Sequence, residues 1–105
     1  MKSNKNNYGL VTGAAGLLGV EHCKSILEAG KGLIMIDINK AKLSKTFNFL
    51  KKNYHGSKII KSLTDITSEK EIIKLTKTLK KKNIFVRTLI NNACIDPKPK
   101  KINNK

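Results

Sequence analysis

Negative charge is what this sequence has least of. Seven acidic residues stand against 22 basic ones, giving a net charge of +15 over 105 residues. An excess of that size is one signature of a nucleic-acid or anionic-membrane partner. Arginine, however, is nearly absent. Arg87 is the one guanidinium, and guanidinium groups supply the bidentate contacts to phosphates and base edges. Lysine and asparagine are abundant together, so the charge reads as compositional bias. No specific nucleic acid is expected as a partner, beyond the weak attraction of any basic surface. Cysteine is scarce as well. Cys23 and Cys94 make neither a disulfide framework nor a paired metal spacing. His22 next to Cys23 is poor ligand geometry, because helix neighbours point about 100° apart. No metal site is expected, and reduced thiols in a cytoplasmic protein are the default reading. Long apolar runs are missing too: none approaches the roughly 18 residues of a membrane span, so no membrane partner is expected. The charge-free stretch from Asn6 to Val20 imitates a secretion signal after Lys2 and Lys5. Its glycines at 9, 13, 16 and 19 break the apolar helix that such a signal requires. Aromatics are 5% and apolar residues 39%, which fits a modest core in one small domain.

What is present alternates. Tyr8 to Thr12 is a short apolar run ending in glycine, the pattern of a buried strand. Gly16 to Ala29 has helical spacing through Val20, Cys23 and Leu27, and Gly30 follows where a left-handed cap belongs. Leu33 to Ile36 reads as a second buried strand, ending at Asp37. Lys40 to Lys52 is helical through Leu43, Phe47 and Leu50. Lys58 to Leu63 reads as a third strand. Ser68 with Glu71 forms a capping box before a helix carrying Ile72, Leu75 and Leu79 on one face. Val86 to Asn91 reads as a fourth strand. Short apolar strands alternating with amphipathic helices predict a parallel sheet covered on both faces and joined by right-handed crossovers. The lysines at 42, 45 and 52 and at 70, 74, 77 and 81 fall on outward helix faces. From Asp96 onward periodicity ends, and a basic disordered tail is expected over residues 98–105.

The first turn, TGAAGLLG from Thr12 to Gly19, sits between a strand and a helix. That is the context of a dinucleotide phosphate site. Gly13 allows the tight turn, Gly16 lets backbone approach a pyrophosphate, and Gly19 lets helix and strand pack closely, while the helix start offers free N–H groups. Asp37 ends the second strand 18 residues after Gly19. A carboxylate there accepts both adenosine ribose hydroxyls and repels a 2′-phosphate, which favours NAD over NADP. The bland alternative is a tight turn and a strand-end acid in a domain that binds no ligand.

Four motifs in order make the chain resemble the N-terminal part of a short-chain dehydrogenase/reductase: TGAAGLLG, Asp37, LTDIT at Leu63 to Thr67, and LINNAC at Leu89 to Cys94. The resemblance covers Tyr8 to about Pro97. It implies an α/β fold, a Rossmann-like parallel sheet in the order 3-2-1-4 with helices on both faces, truncated after the fourth strand. It implies a partial dinucleotide-binding domain over residues 1–97. The cofactor-binding residues it implies are Gly13, Gly16, Leu17, Leu18, Gly19 and Asp37, then Asp65 with Ile66 at the adenine amino group, and Asn92 and Ala93 at the cofactor cleft. Cys94 stands where the family has glycine, and the glycine spacing of 13, 16 and 19 leaves the subfamily open.

Family members need a serine on a later strand and a helical Y-x-x-x-K pair, whose tyrosine is the general acid/base. The one such string here, Tyr54 to Lys58, contains Gly56 and falls in a turn, so no catalytic residue is assigned. The expected protein is therefore an NAD-binding portion of an oxidoreductase, inactive alone. The alternatives are a nucleotide-binding module completed by a partner chain and, less favoured, a basic nucleic-acid-binding protein. The fourth strand, as an apolar edge, is the expected place of self-association or partner pairing.

Overall fold

The computed structural model describes residues 7–93. Within that span the elements alternate: β1 (Asn7–Thr12), α1 (Leu17–Glu28), β2 (Gly32–Asp37), α2 (Lys40–Asn53), β3 (Ile59–Leu63), α3 (Glu69–Lys81) and β4 (Phe85–Asn91). The strands form one parallel sheet in the order β3-β2-β1-β4. The α/β architecture and strand order expected from the sequence are those observed, and the element boundaries agree to within a residue or two. Cys94 and the tail expected over residues 98–105 lie outside the described residues.

Strand periodicity sorts the core into two layers. Side chains of a strand alternate between faces, and the two hydrophobic clusters follow that alternation. Val11, Leu33, Met35 and Ile59 meet α1 and α2 through Cys23, Ile26, Leu27, Leu43 and Leu50. Tyr8, Leu10, Ile34 and Ile36 face the other way and meet α3 through Leu79. β2 and β1 are the two interior strands, and on β2 Leu33, Ile34 and Met35 are fully buried. Cys23 belongs to the first cluster, where burial pushes its thiol up to about 12. It is a protonated core side chain and a poor nucleophile.

Helix ends are stopped by backbone geometry that a sequence shows only in part. Gly30 is left-handed at φ 82°. Its N–H donates to Leu27 O and the Lys31 N–H to Ile26 O, at 3.0 and 3.3 Å, which is a Schellman closure of α1. α3 ends the same way on Asn83, at φ 62°, with Asn83 N–H donating to Lys80 O and Ile84 N–H to Leu79 O, both 3.0 Å. Asparagine tolerates this conformation better than most residues. Asn39 caps α2, its side chain accepting the Lys42 N–H. The capping box expected at α3 is half formed. Ser68 Oγ accepts from Glu71 N–H at 3.2 Å, but the Glu71 carboxylate reaches past Ser68 to the Asp65 N–H at 2.8 Å. The Ser68 N–H already donates to Asp65 O, so the carboxylate takes the next free donor.

The lysines of α2 and α3 are exposed. Since α2 and α3 cover opposite faces of the sheet, they do not merge into one basic surface. Among the described residues β4 pairs only with β1, and it carries Phe85, Val86 and Leu89 at 50%, 40% and 65% exposure.

Candidate functional site

Parallel strands all end on one edge, so the segments that follow them line up in strand order. At that edge stand the segment after β3 (Asp65, Ile66), the end of β2 (Asp37), the β1–α1 turn (Gly13 to Gly19) and the segment after β4 (Asn92, Ala93). All ten residues expected at a cofactor site are brought to this one edge. The order reverses between β1 and β4, and such a switch point opens a crevice in doubly wound sheets.

The turn is shaped by two glycines for different reasons. Gly13 has φ +65°, and a Cβ on it would stand 3.0 Å from Ala93 Cα and 3.2 Å from Asn92 Nδ2. Gly19 is buried against the turn itself. A Cβ there would overlap the Gly13 carbonyl oxygen and lie 3.0 Å from Ala14 Cα. Expected to let helix and strand approach, Gly19 instead lets α1 sit on the turn that precedes it. Gly16 is exposed, and an added Cβ would meet only Gly13 O at 3.4 Å. Its outer side is open.

Gly16 is also the N-cap of α1 and brings no side chain to the task. The N–H groups of Leu17, Leu18 and Gly19 therefore meet no acceptor among the described residues. No acidic residue occupies the first turn of α1. Unpaired donors and the positive end of the helix dipole favour an anion here. The side chains of Leu17 and Leu18 are 95% and 61% exposed.

Asp37 joins two segments. Its Oδ2 accepts the Ala15 N–H and its Oδ1 the Asn39 N–H, both at 2.9 Å. Each carboxylate oxygen has two lone pairs, so half of its accepting capacity is left. The turn is pinned again from below, where Ala14 N–H donates to Ile36 O at 3.0 Å.

Thr12 ties the other wall and was not among the residues picked from the sequence. Its hydroxyl donates to Asn91 Oδ1 at 3.0 Å and accepts the Ala93 N–H at 2.9 Å. Asn92 Nδ2 adds a bond to Gly13 O at 3.2 Å. These bonds fix the end of β4 against the end of β1. A strand-end threonine with an asparagine pair far along the chain carries no local signal of such a contact.

Asp65 is held by its own turn. Thr67 donates to Asp65 Oδ1 through its hydroxyl at 2.6 Å and its backbone N–H at 2.9 Å. These bonds, the hydroxyl first, hold the carboxyl below the usual aspartate range, with slight burial opposing. A depressed pKa stabilises the fold above the ordinary aspartate range, about pH 4. That contribution is lost as pH falls through the lowered value. Asp65→Asn should therefore lower the urea midpoint modestly at neutral pH, leave it nearly unchanged in strong acid, and so flatten the acid limb of a plot of midpoint against pH.

Both tyrosines of the chain lie away from this edge. Tyr8 is buried in the α3-side core. Tyr54 follows α2 at the far end of the sheet and donates its hydroxyl to Glu28 Oε2 at 2.8 Å. That bond, then burial and the charges of Glu28 and Glu21, push the phenol upward, away from the neutral range in which a general acid/base works.

Comparison with known proteins gives this edge its context. The family model for short chain dehydrogenase matches residues 7–105. A short chain dehydrogenase/reductase of Gibberella zeae, dpfgG, is 35% identical over 86 residues, covering 82% of this chain and 31% of its own length. An NAD+-bound xylitol dehydrogenase superposes with a TM-score of 0.77 at 26% identity, over 90% of this chain and 35% of that one. An NADPH-bound short-chain oxidoreductase of Pseudomonas aeruginosa superposes with a TM-score of 0.67 at 18% identity, over 70% and 29%. The chain belongs to the short-chain dehydrogenase/reductase family, whose members bind nicotinamide dinucleotides. It spans about a third of the length of these relatives.

Proposed function

We propose that this chain is the dinucleotide-holding portion of an oxidoreductase of this family, with NAD preferred over NADP. The position of the Asp37 carboxylate carries the reading. It ends β2 beside the glycine turn, bonded to Ala15, with accepting capacity to spare. Gly13 and Gly16 would give backbone access to the pyrophosphate, and the N–H groups of Leu17, Leu18 and Gly19 would meet its charge. Asp37 would accept the adenosine ribose hydroxyls and, being anionic, would oppose a 2′-phosphate. Asp65 and the Ile66 backbone would meet the adenine amino group, and Asn92 and Ala93 would border the nicotinamide side of the cleft. When bound, the nicotinamide would supply the hydride chemistry. Neither tyrosine reaches the cleft, so the expected behaviour of the isolated chain is binding without turnover.

Calorimetric titration tests this. Saturable binding of NAD, tighter than that of NADP, is expected, with no reduction of carbonyl compounds above background. A folded chain that binds no NAD, or one that turns over at ordinary enzyme rates, would overturn it. A second reading, a nucleotide-binding module completed by a partner chain, is supported by the apolar surface left open along β4.

A further inference from the structure

The loop after β3 commits most of its polar groups to holding its own shape. Thr64 N–H donates to Asp37 O at 3.2 Å and Ser68 N–H to Asp65 O at 3.0 Å. Asp65 Oδ1 takes both the hydroxyl and the N–H of Thr67, an aspartate bonding the backbone two residues on. The Asp65 N–H goes to Glu71 Oε1 at 2.8 Å. Among the described residues a pair is left over: Asp65 Oδ2 accepts nothing, and the Ile66 N–H meets no acceptor. An acceptor beside a donor on adjoining residues complements the outer edge of adenine, where the amino group donates and ring N1 accepts. Hypoxanthine presents the reverse, an oxo acceptor beside an N1–H donor, and would set like against like at both positions.

Such a pair discriminates only while it is held in place. The bonds inside the loop fix its shape, but its orientation needs anchors outside it. One is the end of β2, through Thr64. The other is α3, through Glu71. Glu71, Leu75 and Leu79 recur every fourth residue, which puts them on one helix face. Leu79 is buried in the core and Leu75 packs against the same cluster, so the helix that carries Glu71 is seated on the sheet. Glu71 is exposed, and its own N–H is held by Ser68 Oγ at 3.2 Å. A capping role alone would send its carboxylate to the Ser68 N–H. It reaches instead to the residue that carries the free acceptor and precedes the free donor.

We propose that Glu71 is a positioning residue for purine selection. By taking the Asp65 N–H it fixes Asp65 Oδ2 and the Ile66 N–H side by side, so that the loop accepts an amino purine and rejects an oxo purine. The inference rests on the reading that Asp65 and Ile66 meet the adenine, and assigns Glu71 no contact with the dinucleotide.

Titration of the full chain with NAD and with nicotinamide hypoxanthine dinucleotide provides the test. The parent chain should bind NAD about tenfold more tightly, the worth of one or two hydrogen bonds. Glu71→Ala should weaken NAD about fivefold and leave the hypoxanthine dinucleotide nearly unchanged, so that the preference collapses. Glu71→Gln keeps an acceptor oxygen and should keep the preference. A role confined to the charge at the start of α3 would instead make the two variants alike and leave the preference untouched. Glu71 is exposed, so both variants keep the fold, as circular dichroism would verify. Amide hydrogen exchange gives a readout without any cofactor: the Asp65 amide should exchange about threefold faster or more in Glu71→Ala, but not in Glu71→Gln. A Glu71→Ala chain that keeps the preference, weakens both dinucleotides alike or leaves the Asp65 amide protected would overturn the inference alone. Loss of the preference in Glu71→Gln would do the same. A parent chain that binds both dinucleotides equally would overturn it together with the adenine contact, and one that binds no NAD would overturn the cofactor reading as well.

Discussion

Gly19→Ala is expected to destabilise the chain by about 3 kcal/mol or more, at the upper end of what overpacking costs. The added methyl would run into the Gly13 carbonyl and stand 2.9 Å from its carbon and 3.0 Å from Ala14 Cα. All three contacts are backbone, and that backbone is itself tied down by the bonds from Ala14 to Ile36 and from Gly16 to Gly13. No side-chain rotation relieves the clash. Small domains have only about 5–15 kcal/mol of net stability, so urea unfolding should show a large fall in midpoint or a chain unfolded from the start. Gly30→Ala is the control. Gly30 has φ +82° but nothing within 4 Å of an added Cβ, so only the left-handed conformation costs, about 1–2 kcal/mol. Equal losses in the two variants would mean that α1 is not seated on the turn.

Asp37→Ala is expected to weaken NAD binding by roughly 10- to 150-fold, the equivalent of about 1.5–3 kcal/mol for hydrogen bonds to a charged group. NADP should be affected less or bind better, because removing the carboxylate also removes its repulsion of the 2′-phosphate. The comparison of cofactors is the informative measurement. Asp37 also holds Ala15 and Asn39, and loosening the turn alone would weaken both dinucleotides alike. Parallel losses would assign Asp37 to shaping the turn. A selective loss of NAD would assign it to the ribose.

Those two residues were legible in the sequence because their signals are local. A glycine triplet between a strand and a helix, and an acid at the next strand end, occupy short windows with fixed spacing. The helices and strands were legible for the same reason, since burial imposes periods of 3.6 and 2 on neighbouring positions. Less visible were bonds whose partners lie far apart or compete. Nothing near Thr12 announces its bonds to Asn91 and Ala93. Glu71 looked committed to Ser68 by spacing, and the free donor at Asp65 decided otherwise. Asn83 closes α3 with glycine-like geometry, a substitution that composition alone does not flag.

The long reach of Thr12 also bears on the order of assembly. Its bond to Asn91 spans 79 positions, whereas the bond from Ala15 to Asp37 spans 22. Closing the longer loop costs more chain entropy. During synthesis, which proceeds from the N-terminus, everything needed for β1, β2 and β3 has emerged by Leu63. The turn can then already be latched to Asp37. The wall that Asn91, Asn92 and Ala93 form must wait until 30 more residues, Thr64 to Ala93, have followed. Until then β1 is the open edge of a three-stranded sheet, and the nascent chain holds one side of the cleft before the other.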